Sequence, residues 1–176
     1  MRVIASRRIY EGAVVALRVD EVETSDGRRR VREIVEHRGA VAAVPLLPDG
    51  SVLLVRQHRE AAGGSLLEIP AGTVEPGEDP ETALQRELAE EIGMRAGRLT
   101  RLTSFLPSPG FLTEVVHVYL ARDLAPDRRQ AEEEDLEVVR LPLERARAMV
   151  ASGEIRDAKS VIGLLLSERA VGLPGG

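Results

Sequence analysis

Apolar and polar residues alternate from Val14 to Glu23, which predicts a strand with one face buried. Asp26-Gly27 interrupts the pattern as a turn, and Arg30 to Glu36 returns as a second strand, so an N-terminal hairpin is expected. Gly39 to Leu47 is nearly all apolar, the pattern of a strand covered on both faces. Pro48-Asp49-Gly50 marks another turn, Ser51 to Gln57 the next strand, and Leu66 to Pro70 leads into a segment of different period. There Leu84, Leu88 and Ile92 recur at i, i+4, i+8, the apolar stripe of a helix. Asp79 stands at its cap, Pro80 at its first position and Gly93 at its stop. Leu99 to Leu106, Glu114 to Ala121 and Leu136 to Leu141 read as further strands. Leu143 to Ser152 and Ala158 to Ala170 read as helices, the first ending at Gly153. Strands with one helix in mid-chain and two at the end predict an α+β fold. The tail, 171–176, is expected to be flexible.

With 176 residues the chain can bury one sizeable core, and aromatic residues at 2% leave that core to Val, Leu, Ile and Ala. The absence of cysteine excludes disulfides and thiol chemistry. A net charge of -5 without a long basic run argues against a nucleic-acid partner; Arg28 to Arg30 reads as a solvated turn. The N-terminus lacks an apolar signal core and no stretch reaches the length of a membrane span. A cytoplasmic protein with no membrane partner is expected. Lys159 is the only lysine.

The chemistry concentrates between Gly72 and Met94. Glu87, Glu90 and Glu91 are spaced i, i+3, i+4, so a helix gathers them on one region of its surface beside the apolar stripe. Carboxylates that close repel one another, and a divalent cation reverses the penalty. Mg²⁺ takes hard oxygen ligands and suits phosphate chemistry. Arg86 stands four residues before Glu90, within side-chain reach.

This segment resembles the Nudix box, G-x5-E-x7-R-E-U-x-E-E-x-G-U with U a bulky aliphatic residue, the signature of the Nudix hydrolase family. Every fixed position matches: Gly72, Glu78, Arg86, Glu87, Leu88, Glu90, Glu91, Gly93 and Met94. The resemblance implies a mixed sheet sandwiched between helices over residues 39–170, with the region before residue 39 as an extra antiparallel hairpin or sheet. It implies hydrolysis of a phosphoanhydride with Mg²⁺, or Mn²⁺ in its place. Glu87, Glu90 and Glu91 would be metal ligands, and Arg86 would orient a box glutamate.

Outside the box the chain is similar to the ADP-ribose pyrophosphatase subfamily. Ala71 matches a position whose backbone carbonyl ligates metal, and Gly72 follows it at the substrate. Pro109, in Ser108-Pro109-Gly110, sits where the subfamily carries a marker proline, with Glu114 four residues on to hold substrate near the ribose. Arg59, in Arg56-Gln57-His58-Arg59, matches an arginine that binds phosphate. In the run Glu132-Glu133-Glu134-Asp135, the likeness makes Glu132 the general base and Glu134 a metal ligand, with Glu133 a rival for the base. The N-terminal region resembles a dimerisation sheet swapped between subunits, and Arg32 matches an arginine that reaches the partner's site. One departure concerns adenine: several relatives stack it on rings from the segment matching Gly12 to Val15, where Tyr10 is the only ring nearby. The implied activity is cleavage of ADP-ribose to AMP and ribose 5-phosphate by a homodimer. The alternatives are another nucleoside diphosphate sugar of the GDP-mannose type, a dinucleotide, or a nucleotide-binding module without turnover.

Overall fold

The computed structural model describes residues 1–127 and 136–171, with side chains described up to residue 168. The chain divides into two units, residues 1–39 with 105–115, and residues 40–104 with 116–176.

The first unit is a three-stranded antiparallel sheet, β1 (Arg2–Glu11), β2 (Val15–Glu23) and β3 (Arg29–His37), in the order β1-β2-β3. The expected hairpin is β2 and β3, turned at Asp26-Gly27 with Gly27 at φ 78°. The third strand, β1, was absent from the sequence pattern because all ten of its residues are exposed and no burial alternation marks it. Backbone pairing with β2 holds it, aided by Ser6 Oγ to Asp20 (2.6 Å), Arg2 to Glu23 (2.9 Å) and Arg8 to Glu36 (2.8 Å). Segment 105–115 joins this sheet through Val35 N–H to the Phe111 carbonyl (2.7 Å) and Thr113 N–H to the Val35 carbonyl (3.0 Å).

The second unit holds two sheets where the sequence suggested one. A four-stranded mixed sheet runs β7 (Ala71–Thr73), β4 (Ala40–Pro45), β9 (Val116–Pro126), β8 (Met94–Phe105), with β4 parallel to β9 and antiparallel to β7. A three-stranded antiparallel sheet runs β10 (Glu137–Pro142), β5 (Ser51–Arg59), β6 (Gly64–Glu68). Val41 to Pro45 are all buried, as a strand covered on both faces requires.

Helix α1 (Pro80–Ile92) covers one face, packing Leu84, Leu88 and Ile92 on Val41, Ala43, Tyr119 and Ala121. Leu84 and Leu88 are fully buried, and truncating either to alanine would cost roughly 2–5 kcal/mol. The other face carries α3 (Ala158–Val171), where Gly163 lets the helix approach closely. A Cβ there would meet Ile69, Val44 and Val118 side chains at 3.0–3.2 Å. Helix α2 (Leu143–Ser152) ends at Gly153 in the left-handed conformation. Among the described residues no helix is long and apolar enough to cross a membrane.

Candidate active site

Helix α1 begins and ends where local chemistry dictates. The Asp79 carboxylate accepts from Glu81 N–H (3.0 Å) and Thr82 N–H (3.2 Å), Pro80 fills the first position, and Gly93 closes the helix at φ 64°. These bounds fix which turn of the helix faces strand β7. Glu87 and Glu91, one turn apart, flank the Ala71–Gly72 backbone. Glu91, 4% exposed, accepts the Ala71 N–H at 2.9 Å. The Glu87 carboxyl group fills the space beside Gly72 so fully that a Cβ there would lie 1.9 Å from its carbon. A glycine at that point leaves room for the Glu87 carboxylate; the constraint is one of space, not of backbone conformation.

Arg86 ties the cluster together. Its guanidinium donates to Glu78 (3.1 and 3.3 Å), Glu87 (2.7 Å), Glu90 (3.1 Å) and the Thr73 carbonyl (3.1 Å). The Glu78 hydrogen bond, against the opposing effect of burial, raises the arginine's pKa above its ordinary value. The same bond lowers the pKa of Glu78. One guanidinium thus serves three carboxylates and Glu91 adds a fourth, so the patch is strongly negative.

Its donors are carboxylate oxygens and nearby backbone carbonyls, the hard set that suits Mg²⁺ or Mn²⁺. Among the described residues no three acidic or imidazole groups form a ready-made cage. Glu87, Glu90 and Glu91 could hold a divalent cation by the chemistry of their oxygens and the negative charge they share.

Arg59, at the end of β5, makes its two-point contact with Glu68, through Nε (3.2 Å) and Nη2 (2.8 Å). The hydrogen bonds to Glu68 raise the Arg59 pKa, and the charge of Glu91 adds to the effect, which places Arg59 in the field of the acidic patch. Glu68 is 2% exposed and also accepts from Lys159 Nζ at 2.7 Å. Burial pushes the Glu68 pKa up, but Arg59 and Lys159 outweigh it and the net shift is downward. The sequence pattern assigned no role to Glu68 or to Lys159. The signals were a lone acid inside Leu66-Leu67-Glu68-Ile69-Pro70 and a lone lysine in an arginine-rich chain.

The other expected residues lie in the first unit or outside the described residues. Arg32 is half-buried on β3 with Nη1 on the Val31 carbonyl (2.9 Å). Pro109 sits in a turn closed by Leu112 N–H to the Ser108 carbonyl (2.9 Å). Glu114 stands 3.6 Å from His37 Nδ1, a nitrogen that accepts the Gly39 N–H at 3.0 Å. Tyr10 lies against Gly12, and Phe111 is a second half-exposed ring in this unit. Glu132, Glu133 and Glu134 lie outside the described residues.

Residues 36–162 match the NUDIX domain. The chain belongs to that family. It is 41% identical to the ADP-ribose pyrophosphatase of Bacillus subtilis (strain 168) over 93% of this chain and 90% of the relative. It is 34% identical to the GDP-mannose pyrophosphatase of Citrobacter koseri over 80% of this chain and 78% of the relative. A crystal structure of an ADP compounds hydrolase superposes with a TM-score of 0.85 at 27% identity, covering 97% of this chain and 93% of that one.

Proposed function

We propose that this protein is a Mg²⁺-dependent Nudix pyrophosphatase that hydrolyses ADP-ribose to AMP and ribose 5-phosphate. The observation that carries the reading is the box cluster. Glu87 and Glu91 flank Ala71–Gly72, and Arg86 clamps Glu78, Glu87 and Glu90. The likeness to the Bacillus subtilis ADP-ribose pyrophosphatase over nearly the whole chain supports the substrate class.

Glu87, Glu90, Glu91 and the Ala71 carbonyl would hold the cation. When bound, the metal supplies charge stabilisation for the phosphate oxygens and acidifies a water. The chain's own residues supply positioning. Arg86 fixes the glutamate rotamers, Glu91 pins the Ala71–Gly72 backbone, and Arg59 meets a phosphate with the part of its guanidinium not engaged by Glu68. Glu132, with Glu133 as its rival, takes the proton of the attacking water, and Glu134 adds a ligand. Gly72 lies at the substrate, Pro109 and Glu114 keep the substrate roles that the resemblance gives them, and Arg32 its role at the partner's site. A homodimer, formed through the N-terminal sheet, would elute at twice the 19.1 kDa chain mass in light-scattering chromatography.

The second reading is a GDP-mannose type of substrate, favoured by the Citrobacter koseri relative and by the single ring near Gly12 to Val15. Product identification decides: with Mg²⁺ and ADP-ribose, AMP and ribose 5-phosphate should accumulate in equal amounts. Absence of AMP while GDP-mannose is cleaved to GMP would replace the first reading with the second.

A further inference from the structure

Glu68 is 2% exposed, and a carboxylate so placed is tolerated only when paired and hydrogen-bonded. It has two cationic partners. Arg59 takes both oxygens from one side, at 3.2 and 2.8 Å, and Lys159 Nζ takes Oε2 at 2.7 Å. Lys159 also donates to Asp157 Oδ2 at 2.9 Å, and that carboxylate receives the Ser160 N–H at 3.2 Å where α3 begins. Ser160, itself fully buried, accepts the Ile69 N–H on its hydroxyl at 2.8 Å. The first turn of α3 therefore grips both the side chain of Glu68 and the backbone that follows it, two residues before Ala71.

The exposures divide the labour. The Arg59 side chain is 39% exposed and open to a ligand, whereas that of Lys159 is 18% exposed and lies between two carboxylates. An ammonium with three radially arranged donors can bridge two acids in this way; the planar guanidinium used nearly everywhere else in the chain is less suited to it. With Arg59 alone, Glu68 would cancel the charge of the guanidinium it orients.

We propose that Lys159 is a positioning residue for the substrate anion, acting through Glu68. It competes with Arg59 for Glu68, sharing its one charge between that carboxylate and Asp157, so Glu68 fixes the plane of Arg59 while cancelling less of its attraction for a diphosphate. The proposal rests on the reading of this site as a diphosphate hydrolase site.

The test is titration calorimetry with ADP-ribose and no metal, alongside kcat and KM with Mg²⁺, on Lys159→Met, Arg59→Gln and the double variant. Lys159→Met should raise Kd and KM about tenfold, with kcat changed less than about threefold. In the Arg59→Gln background the same substitution should add less than about twofold, because its effect passes through Arg59. Lys159→Arg, which keeps the charge but bridges the two acids less well, should recover part of the affinity. If Lys159→Met does not fold, Lys159→Gln, which keeps a donor to Glu68, carries the same expectations. Unchanged Kd in folded Lys159→Met or Lys159→Gln, or full additivity with Arg59→Gln, overturns the positioning role alone. A wild-type protein that neither binds nor cleaves ADP-ribose overturns the functional reading together with it.

Discussion

Replacing Gly72 by alanine should separate activity from stability. The added Cβ would lie 1.9 Å from both the carboxyl carbon and Oε1 of Glu87, and 2.3 Å from Oε2. An ordinary contact between such atoms is about 3.4 Å, so the carboxylate must retreat by roughly 1.5 Å. It can do so, because it ends a flexible side chain, and the 2.7 Å bond to Arg86 goes with it. Arg86 keeps Glu78, Glu90 and the Thr73 carbonyl, so the stability loss should stay near 1 kcal/mol, the low end for overpacking. Rate is more sensitive: a group misplaced by about 1 Å costs on the order of a hundredfold, or about 2.7 kcal/mol of barrier. Thermal unfolding and steady-state kinetics of Gly72→Ala measure the two quantities. Glu87→Ala removes the group that clashes, so Gly72→Ala in that background should leave both stability and the residual rate unchanged. A Gly72→Ala protein with kcat within threefold of wild type would refute the claim that Glu87 works from beside Gly72.

Glu91→Gln keeps an oxygen for the Ala71 N–H but loses the charge, so unfolding should shift little while hydrolysis falls by about a thousandfold or more; retained activity would refute the metal role. Arg86→Lys keeps the charge but cannot span Glu78, Glu87, Glu90 and Thr73; a loss of about 1–2 kcal/mol in denaturant unfolding and at least about tenfold in kcat is expected. Folding also lowers the pKa of Glu68 and Glu78 from the ordinary 4.5. Their contribution is complete above that value and is lost as pH falls through the lowered folded values. Melting temperature should therefore drop on acidification from about pH 4.5, and less steeply in Glu68→Gln; an identical slope in that variant would count against the Glu68 assignment.

What the sequence disclosed follows from the range of the interactions involved. Helix α1 was legible to the residue because its signals are local: Asp79 caps two and three residues ahead, Pro80 needs no donor, and Gly93 alone takes the left-handed turn cheaply. The Arg86–Glu90 contact is legible for the same reason, being one helical turn. Strand β1 was not, since periodicity detects burial and none of its residues is buried. The Glu68–Lys159 pair joins residues 91 apart in sequence, a distance no spacing rule covers. Likewise, the reason for Gly72 emerges only when β7 is laid against α1 and the Glu87 carboxylate takes the place of its missing side chain.

The most direct measurement is the ratio of kcat/KM for ADP-ribose to that for GDP-mannose, with Mg²⁺ present and products resolved by chromatography. A ratio of at least about a hundred, with AMP as the nucleotide product, is predicted. A ratio below one, or turnover of neither compound by a folded protein loaded with Mg²⁺, would contradict the assignment.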